Sequence, residues 1–400
     1  MIRLYKFRLY PTSKQQQLLV AMLNDHRDIY NAALQERRDA WTRSHVGIRF
    51  VDQDAQLTEI RACDPDLARW SYSSQEQTLR RLDNAFRSFF RRVKYGGNPG
   101  YPRFKGAGQL NTVDHRNGDG ATWNSIVHPT QTKVRFKGVG HVKVKQHRPV
   151  RGRVTRVTVK REGQHWYVLL SAQQDLPTPL PKTGRMIGID LATGSNGLAY
   201  TSLGERIENP AYGKAAQVRL AEANQAIART QPGSNRRKKA RGRFSALHRK
   251  ISNQRLDYLH KAANHLVADN DVIVAENLNI ARMTRRPKSR PDGAGGYEPN
   301  GRRAKTGLNR SILDAGWGIF LRLIRAKAES AGREFVQVDP AYTSQTCSRC
   351  GYREKANRNG KAFLCLSCGH RDDADINAAV NILRAGLVLR NLARVEPREA

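Results

Sequence analysis

The sequence predicts a multi-domain protein of mixed class: an α+β N-terminal half, then an α/β C-terminal half with a metal-binding insertion. Three observations predict it. Alternating apolar and polar residues at the N-terminus and again between 133 and 172 bracket stretches of helical period. "DLPTPLPKTG", residues 175–184, is a proline-rich linker and the clearest domain boundary. Beyond it, apolar strands alternate with helices until two Cys-x2-Cys pairs interrupt the pattern.

The elements follow in chain order. "RLYKFRLYP" puts Tyr5, Phe7 and Leu9 on one face of a strand that Pro11 ends. Thr12 and Ser13 can cap a helix whose apolar positions are Leu19, Met22, Leu23, Ile29, Tyr30, Ala33 and Leu34. A second helix is expected from about Ser74 to Lys94. Its buried stripe would be Leu79, Leu82, Phe86, Phe89, Phe90 and Val93, with Arg80, Arg81, Arg87, Arg91 and Arg92 covering the rest. After the turn-rich "KYGGNPGYPRFKG", three alternating segments ("KVRFKGVGHVKVK", "RVTRVTVKR", "HWYVLLSA") argue for an antiparallel barrel or curved sheet. Arg135, Lys137, Lys143 and Lys145 would form a basic face on it. Past the linker, "RMIGIDLATGSNGLAYTSLG" reads as strand, turn and strand, followed by helices near 213–230 and 247–269. Between those helices "GSNRRKKARGR" reads as a basic loop. Then come the strand "DVIVAENL", a Pro/Gly-rich basic segment at 281–307, a helix near 309–331 and the strand "REFVQVDP".

Composition narrows the function. Of 400 residues, 70 are Lys or Arg against 35 Asp or Glu, a formal charge of +35. So much like charge in a compact protein calls for a polyanionic partner, and phosphate backbones release counterions when Lys and Arg neutralise them. Hydrophobic residues make up 39%, enough for real cores. No apolar run reaches membrane-spanning length, and "MIRLYKFRLYP" is too short and charged for a signal peptide, so a soluble, intracellular protein is expected.

The motifs carry two metal chemistries. Cys347-x2-Cys350 and Cys365-x2-Cys368, each followed by a glycine, offer four thiolates suited to tetrahedral, structural Zn²⁺. In a reducing compartment this favours metal over disulfides, and Cys63 stands alone as an incidental helix residue. His370 is not needed as a ligand. The acids need a harder ion, Mg²⁺ or Mn²⁺. Asp190 ends the strand "MIGID", Glu276 ends "VIVAE", and Asp375 begins the last helix. Each has a plainer reading, respectively as turn residue, solvated strand end and helix N-cap. Together, in so cationic a domain, they form the arrangement that holds two divalent ions for phosphodiester hydrolysis. Asp372 and Asp373 are less well placed for it.

At these residues the chain resembles a family. "GIDLATGSNGLAY", "VAENLNI", "TSQTCSRCG", "CLSCGHRDDADINAAVNI" and "YPRFKG" are similar to transposon-encoded TnpB proteins, compact relatives of type V CRISPR effector nucleases. The resemblance implies a wedge β-barrel (1–11 and 107–180) with an inserted helical recognition lobe (12–106). It also implies a ribonuclease H-like RuvC domain (181–342 and 371–400) with an inserted zinc ribbon (343–370). It puts the catalytic acids on Asp190, Glu276 and Asp375 and the zinc ligands on the four cysteines. The implied activity is RNA-guided cleavage of double-stranded DNA beside a short adjacent motif, by a monomer in a 1:1 complex with a guide RNA from the transposon end, in a prokaryotic cytoplasm and associated with the nucleoid. Gln75 and Thr78 are candidates for reading that motif, with a helix-start role as the alternative for both. Tyr101 is a candidate for base stacking, with a turn in the core as its alternative. Arg80, Arg87, Lys143, Arg236, Arg237 and Lys238 are further candidates for nucleic-acid contact. Competing readings are a nuclease-inactive RNA-guided repressor, a compact type V effector, and an unguided zinc-ribbon binder.

Overall fold

The computed structural model describes residues 1–128, 131–175, 177–193, 197–293 and 295–395. The chain divides into two compact units, Met1–Leu176 and Pro177–Ala400.

The first unit begins with β1 (Ile2–Tyr10), whose inward residues are Tyr5, Phe7 and Leu9 as the alternation requires. Four helices follow: α1 (Ser13–Ser44), α2 (Phe50–Cys63), α3 (Pro65–Ala68) and α4 (Tyr72–Lys94). Thr12 caps α1 through a reciprocal bond pair with Gln15. The remaining strands are β2 (Thr112–Arg116), β3 (Ala121–His128), β4 (Gln131–Phe136), β5 (Gly140–Lys145), β6 (Arg153–Glu162) and β7 (His165–Gln173). They join β1 in one antiparallel sheet of order β2-β6-β7-β1-β5-β4-β3. Val134, Phe136, Val142 and Val144 point inward, leaving Arg135, Lys137, Lys143 and Lys145 on the outer face.

The second unit holds β8 (Met186–Leu191), β9 (Ala199–Thr201), β10 (Arg206–Ile207), α5 (Tyr212–Ala215), α6 (Gln217–Ala228), α7 (Asn235–Asp269), β11 (Val272–Glu276), α8 (Ile280–Met283), α9 (Arg302–Ala315), α10 (Trp317–Ala331) and β12 (Glu334–Val338). A small hairpin sheet, β13 (Arg358–Asn359), β14 (Ala362–Leu364) and β15 (Arg371–Asp373), precedes α11 (Ala374–Val395). The main sheet has the order β10-β9-β8-β11-β12, parallel across its last three strands and antiparallel across the others. The expected turn between β8 and β9 includes residues 194–196, outside the described residues.

Both faces of this sheet are covered, as parallel strands require. Ile187, Ile189, Ile273 and Ala275 pack with Leu259, Ala263 and Leu266 of α7 and with Phe320 and Ile324 of α10. Val272, Val274 and Val338, on the other face, pack with Ile382 of α11. Helix α11 lies so close that a Cβ on Gly188 would stand 2.2 Å from the Ala379 carbonyl oxygen, and one on Gly386 would stand 2.4 Å from Val274. A backbone carbonyl cannot yield as a side chain can. We therefore expect Gly188→Ala to destabilise the fold by about 1–3 kcal/mol or more, read as a lower urea midpoint. An unchanged midpoint would contradict this close helix–sheet contact.

Three expectations change. The segment read as the loop "GSNRRKKARGR" is the start of the 35-residue α7. Arg, Lys and Ala are good helix formers, and Ser234 caps the end by accepting from Arg237 N. The single helix expected near 309–331 is two, broken where Gly316 takes a left-handed φ of 76°. In α4 the inward stripe ends at Phe86, since Phe90 and Val93 are exposed.

Candidate active site and metal centre

Strand parity places the acids. Along β8, Ile187 and Ile189 face α7 and α10, so Gly188 and Asp190 face α11. Along β11, Val272 and Val274 face α11, so Glu276 does too. The parallel ladder pairs Ile189 with Ala275, which brings the next residues, Asp190 and Glu276, alongside each other. Asp375, in the first turn of α11, completes the group from above this face.

Burial is the largest influence raising the Asp190 pKa well above its ordinary value. The charges of Glu276 and Asp375 push the same way, and Arg358 opposes them. Burial also raises Glu276, while a 2.6 Å hydrogen bond from Thr343 Oγ1 and the charge of Arg358 restrain the shift and Asp339 adds to it. Asp375 is buried, and its Oδ1 accepts from Arg358 Nη2 at 2.8 Å. Two carboxylates held toward their protonated forms beside a third are what a divalent cation relieves, and an all-oxygen donor set suits Mg²⁺ or Mn²⁺.

Asp372 and Asp373 do other work. Asp373 Oδ1 accepts from Asp375 N at 2.8 Å and so secures the start of α11, while Asp372 lies 3.7 Å from His370.

The four cysteines converge. All four sulfurs lie within 4.8 Å of one another, with Cys347–Cys368 at 3.7 Å and Cys350–Cys365 at 3.6 Å. A tetrahedron with Zn–S bonds of about 2.3 Å has edges of about 3.8 Å, so the spacing fits zinc. Gly351 and Gly369, at φ 79° and 68°, close the two knuckles by donating to the Cys347 and Cys365 carbonyls. Among the described residues this quartet is the one cluster so tight, and the three acids do not all come within that distance of one another.

Several residues at the site gave no sequence signal of their own. Arg358 and Lys361 sit between the two cysteine pairs. Lys361 donates to the Tyr200 hydroxyl at 2.8 Å, and Tyr200 lies opposite Asp190 in the β8–β9 ladder. Asn377 and Asn381, four apart on α11, hold the ribbon's entrance. Asn377 Oδ1 accepts from Ser348 N and its Nδ2 donates to Thr346 O, while Asn381 donates to the Thr343 and Thr346 carbonyls. Two asparagines at helical spacing in an apolar helix were the available clue.

The nucleic-acid candidates divide. Gln75 is wholly buried, its amide donating to Leu67 O and its oxygen bound by Arg61. Buried Thr78 bonds to Ser74 O. Both side chains are thus engaged within the first unit, Gln75 with residues of α2 and α3 and Thr78 one turn back along α4. Arg237 is spent on the Ile227 and Thr230 carbonyls that end α6. Arg236, Lys238 and Lys143 are exposed. Arg80 pairs with Glu76 and Arg87 with Asp83, both with exposed guanidinium groups. Tyr101 is 45% exposed, so it is not a core residue.

The molecule is thus a two-unit protein of mixed α/β class whose last helix joins a buried acid cluster to a four-cysteine ribbon. Residues 1–45 match a family model described as "Helix-turn-helix domain", although here they form β1 and α1. Residues 153–286 match "Probable transposase", and 317–382 match "Cas12f1-like, TNB domain". A protein of Streptomyces pristinaespiralis named "Putative RNA-guided DNA endonuclease" is 32% identical over 96% of this chain and 89% of its own length. One of Escherichia coli K12, "Putative RNA-guided DNA endonuclease InsQ", is 30% identical over 96% and 92%. "CRISPR-associated endodeoxyribonuclease Cas12f1" of Sulfoacidibacillus thermotolerans is 53% identical over 57 residues, 14% of each chain. The chain belongs to the transposon-encoded TnpB family.

No helix of the described residues is long and apolar enough to cross a membrane.

Proposed function

We propose that this chain is an RNA-guided DNA endonuclease that cuts double-stranded DNA beside a short adjacent motif, as a monomer with one guide RNA. The observation that carries it is the meeting of Asp190, Glu276 and Asp375 on the α11 face of the sheet, in a chain of charge +35. Kinship along 96% of the chain to proteins named for that activity supports it. On this reading the antiparallel sheet of the first unit is the wedge barrel, α1–α4 the recognition lobe, the second unit a RuvC-like domain, and 343–370 its zinc ribbon.

Divalent ions held by Asp190, Glu276 and Asp375 would supply the activated water and the stabilised leaving oxygen of phosphodiester hydrolysis. The chain's residues prepare the place. Thr343 holds one Glu276 oxygen and thereby orients the other. Arg358 keeps Asp375 turned into the cluster and brings positive charge to where a phosphate must approach three acids. Asp373 fixes the first turn of α11, so Asp375 cannot swing away with a fraying end.

The experiment is to purify the full chain from cells carrying its own flanking DNA, sequence the bound RNA, and offer plasmids matched to that RNA with randomised flanks. Cutting confined to matched targets beside one motif, with Mg²⁺ or Mn²⁺ required, is the expected result. A protein that carries no RNA, or that cuts duplexes indiscriminately, overturns the reading.

A further inference from the structure

We propose that the aromatic cavity between α1, α2 and α4 seats one unstacked nucleobase of the guide RNA, an inference that rests on the RNA-guided reading above. The cavity is about 690 Å³, within the roughly 300–1,000 Å³ of small-ligand sites. One wall is a cage of rings: Tyr101 meets Phe86 edge-on at 5.6 Å and Phe89 at 5.3 Å, and Phe90 lies 5.1 Å from Phe89. Trp41 of α1 and Phe50 of α2 line the other side. Trp41 and Phe90 are each 60% exposed and Tyr101 45%, a costly amount of ring to leave in water unless something covers it.

Charge says what covers it. Arg49 and Arg87 line the cavity, paired with Asp52 at 3.3 Å and Asp83 at 2.8 Å, and exposed Arg91 and Lys94 on the last turns of α4 tip the balance of the rim to positive. An apolar protein partner does not call for a cationic rim, whereas a base between its two phosphates meets aromatic faces and cations together. Inside, Arg37 is buried. Its Nε donates to Gln53 at 2.8 Å and its Nη1 to Asp83 at 3.3 Å, and its Cζ stands 5.2 Å over the Phe86 ring. Its Nη2 is buried with no acceptor. The cage is also set in advance, because Arg92 donates to the Pro99 and Gly100 carbonyls and fixes the turn that presents Tyr101. Bases in intact duplex DNA are paired and stacked, whereas loops and bulges of folded RNA offer unstacked bases, and the deoxyribose arm of the test separates these from a displaced DNA strand.

The test uses the full chain and a single-stranded oligoribonucleotide carrying one 2-aminopurine, with its deoxyribose counterpart and the matching DNA duplex as the other arms. Stacking on the rings should quench the ribo-oligomer's fluorescence. Phe90→Ala with Tyr101→Ala should abolish the quench and weaken RNA binding about tenfold or more, with the salt dependence and melting temperature unchanged and with Tyr101→Phe retaining the wild-type value. An absent quench, a quench retained in the folded double variant, or one seen only with either DNA probe overturns the proposal. Guided cleavage by the wild-type protein is read separately, so an enzyme that is guided yet indifferent to the double variant sinks the base seat alone.

Discussion

Asp190→Ala is expected to lower DNA cleavage by roughly three orders of magnitude or more, while RNA and target affinity stay within about threefold. The size follows from the role: losing an anchor for the cations forfeits several kcal/mol of transition-state stabilisation, and each 1.36 kcal/mol is tenfold in rate. Affinity should survive because Asp190 is half-buried at the end of β8 and belongs to the acid cluster rather than to the protein's basic faces. Gel-shift and single-turnover cleavage on the same preparation check both halves. Binding lost in proportion to cleavage would contradict a pure metal-anchoring role.

The same residue fixes the sign of a pH effect. Its folded pKa lies well above the ordinary 3.8, chiefly through burial and then through Glu276 and Asp375. Folding therefore favours its protonated form. The stability linked to it is fully present below the unfolded pKa and is lost as pH rises through the folded one. In chelator, the melting temperature should fall across that window. Mg²⁺ should remove the fall, and Asp190→Asn, which cannot titrate, should flatten it without metal. A profile that rises with pH in chelator, or that Asp190→Asn leaves unchanged, would count against a raised Asp190 pKa in the folded protein.

Much of this arrangement follows from the sequence because periodicity is local. "MIGID" and "VIVAE" each end in an acid after a run of apolar residues and glycine, so both acids share a face once the parallel register sets Ile189 opposite Ala275. The thiol spacing likewise survives folding, since each knuckle is a turn. What the pattern could not carry depends on contacts remote in sequence. Arg358 and Lys361 look like ordinary spacer cations until β13–β15 fold back beside the main sheet. β2 and β3 lie in "NTVDHRNGDGATWNSIVH", whose polar residues blur the alternation, and only their neighbours in the sheet make them strands. Phe90 and Val93 obey helical spacing with α4's inward stripe, yet nothing in the described first unit covers them, so periodicity alone overstates burial.

Cys365→Ser should abolish stoichiometric zinc, unfold the ribbon and reduce cleavage nearly as far as loss of an acid. Structural zinc sites contribute about 10–16 kcal/mol of apparent binding free energy in small peptides, and a buried serine in place of a thiolate leaves three ligands and a broken tetrahedron. The ribbon has little else to hold it: its apolar core is Cys347, Phe363, Cys365 and Ala374, two of the four being ligands. Its collapse reaches the acids through bonds already described. Arg358 leaves Asp375, Lys361 leaves Tyr200, and the 343–348 segment that Asn377 and Asn381 hold loses the shape that delivers Thr343 to Glu276. The separating variant is Arg358→Ala, which removes the guanidinium and keeps the zinc. If the ribbon acts on the site through Arg358, this variant should lose about 10²-fold in cleavage with full metal content and an unchanged melting temperature. Metal analysis, calorimetry and single-turnover rates on the two variants decide it. Zinc retained in Cys365→Ser would sink the ribbon assignment, and full activity in Arg358→Ala would show that the ribbon serves the site only by holding α11 in place.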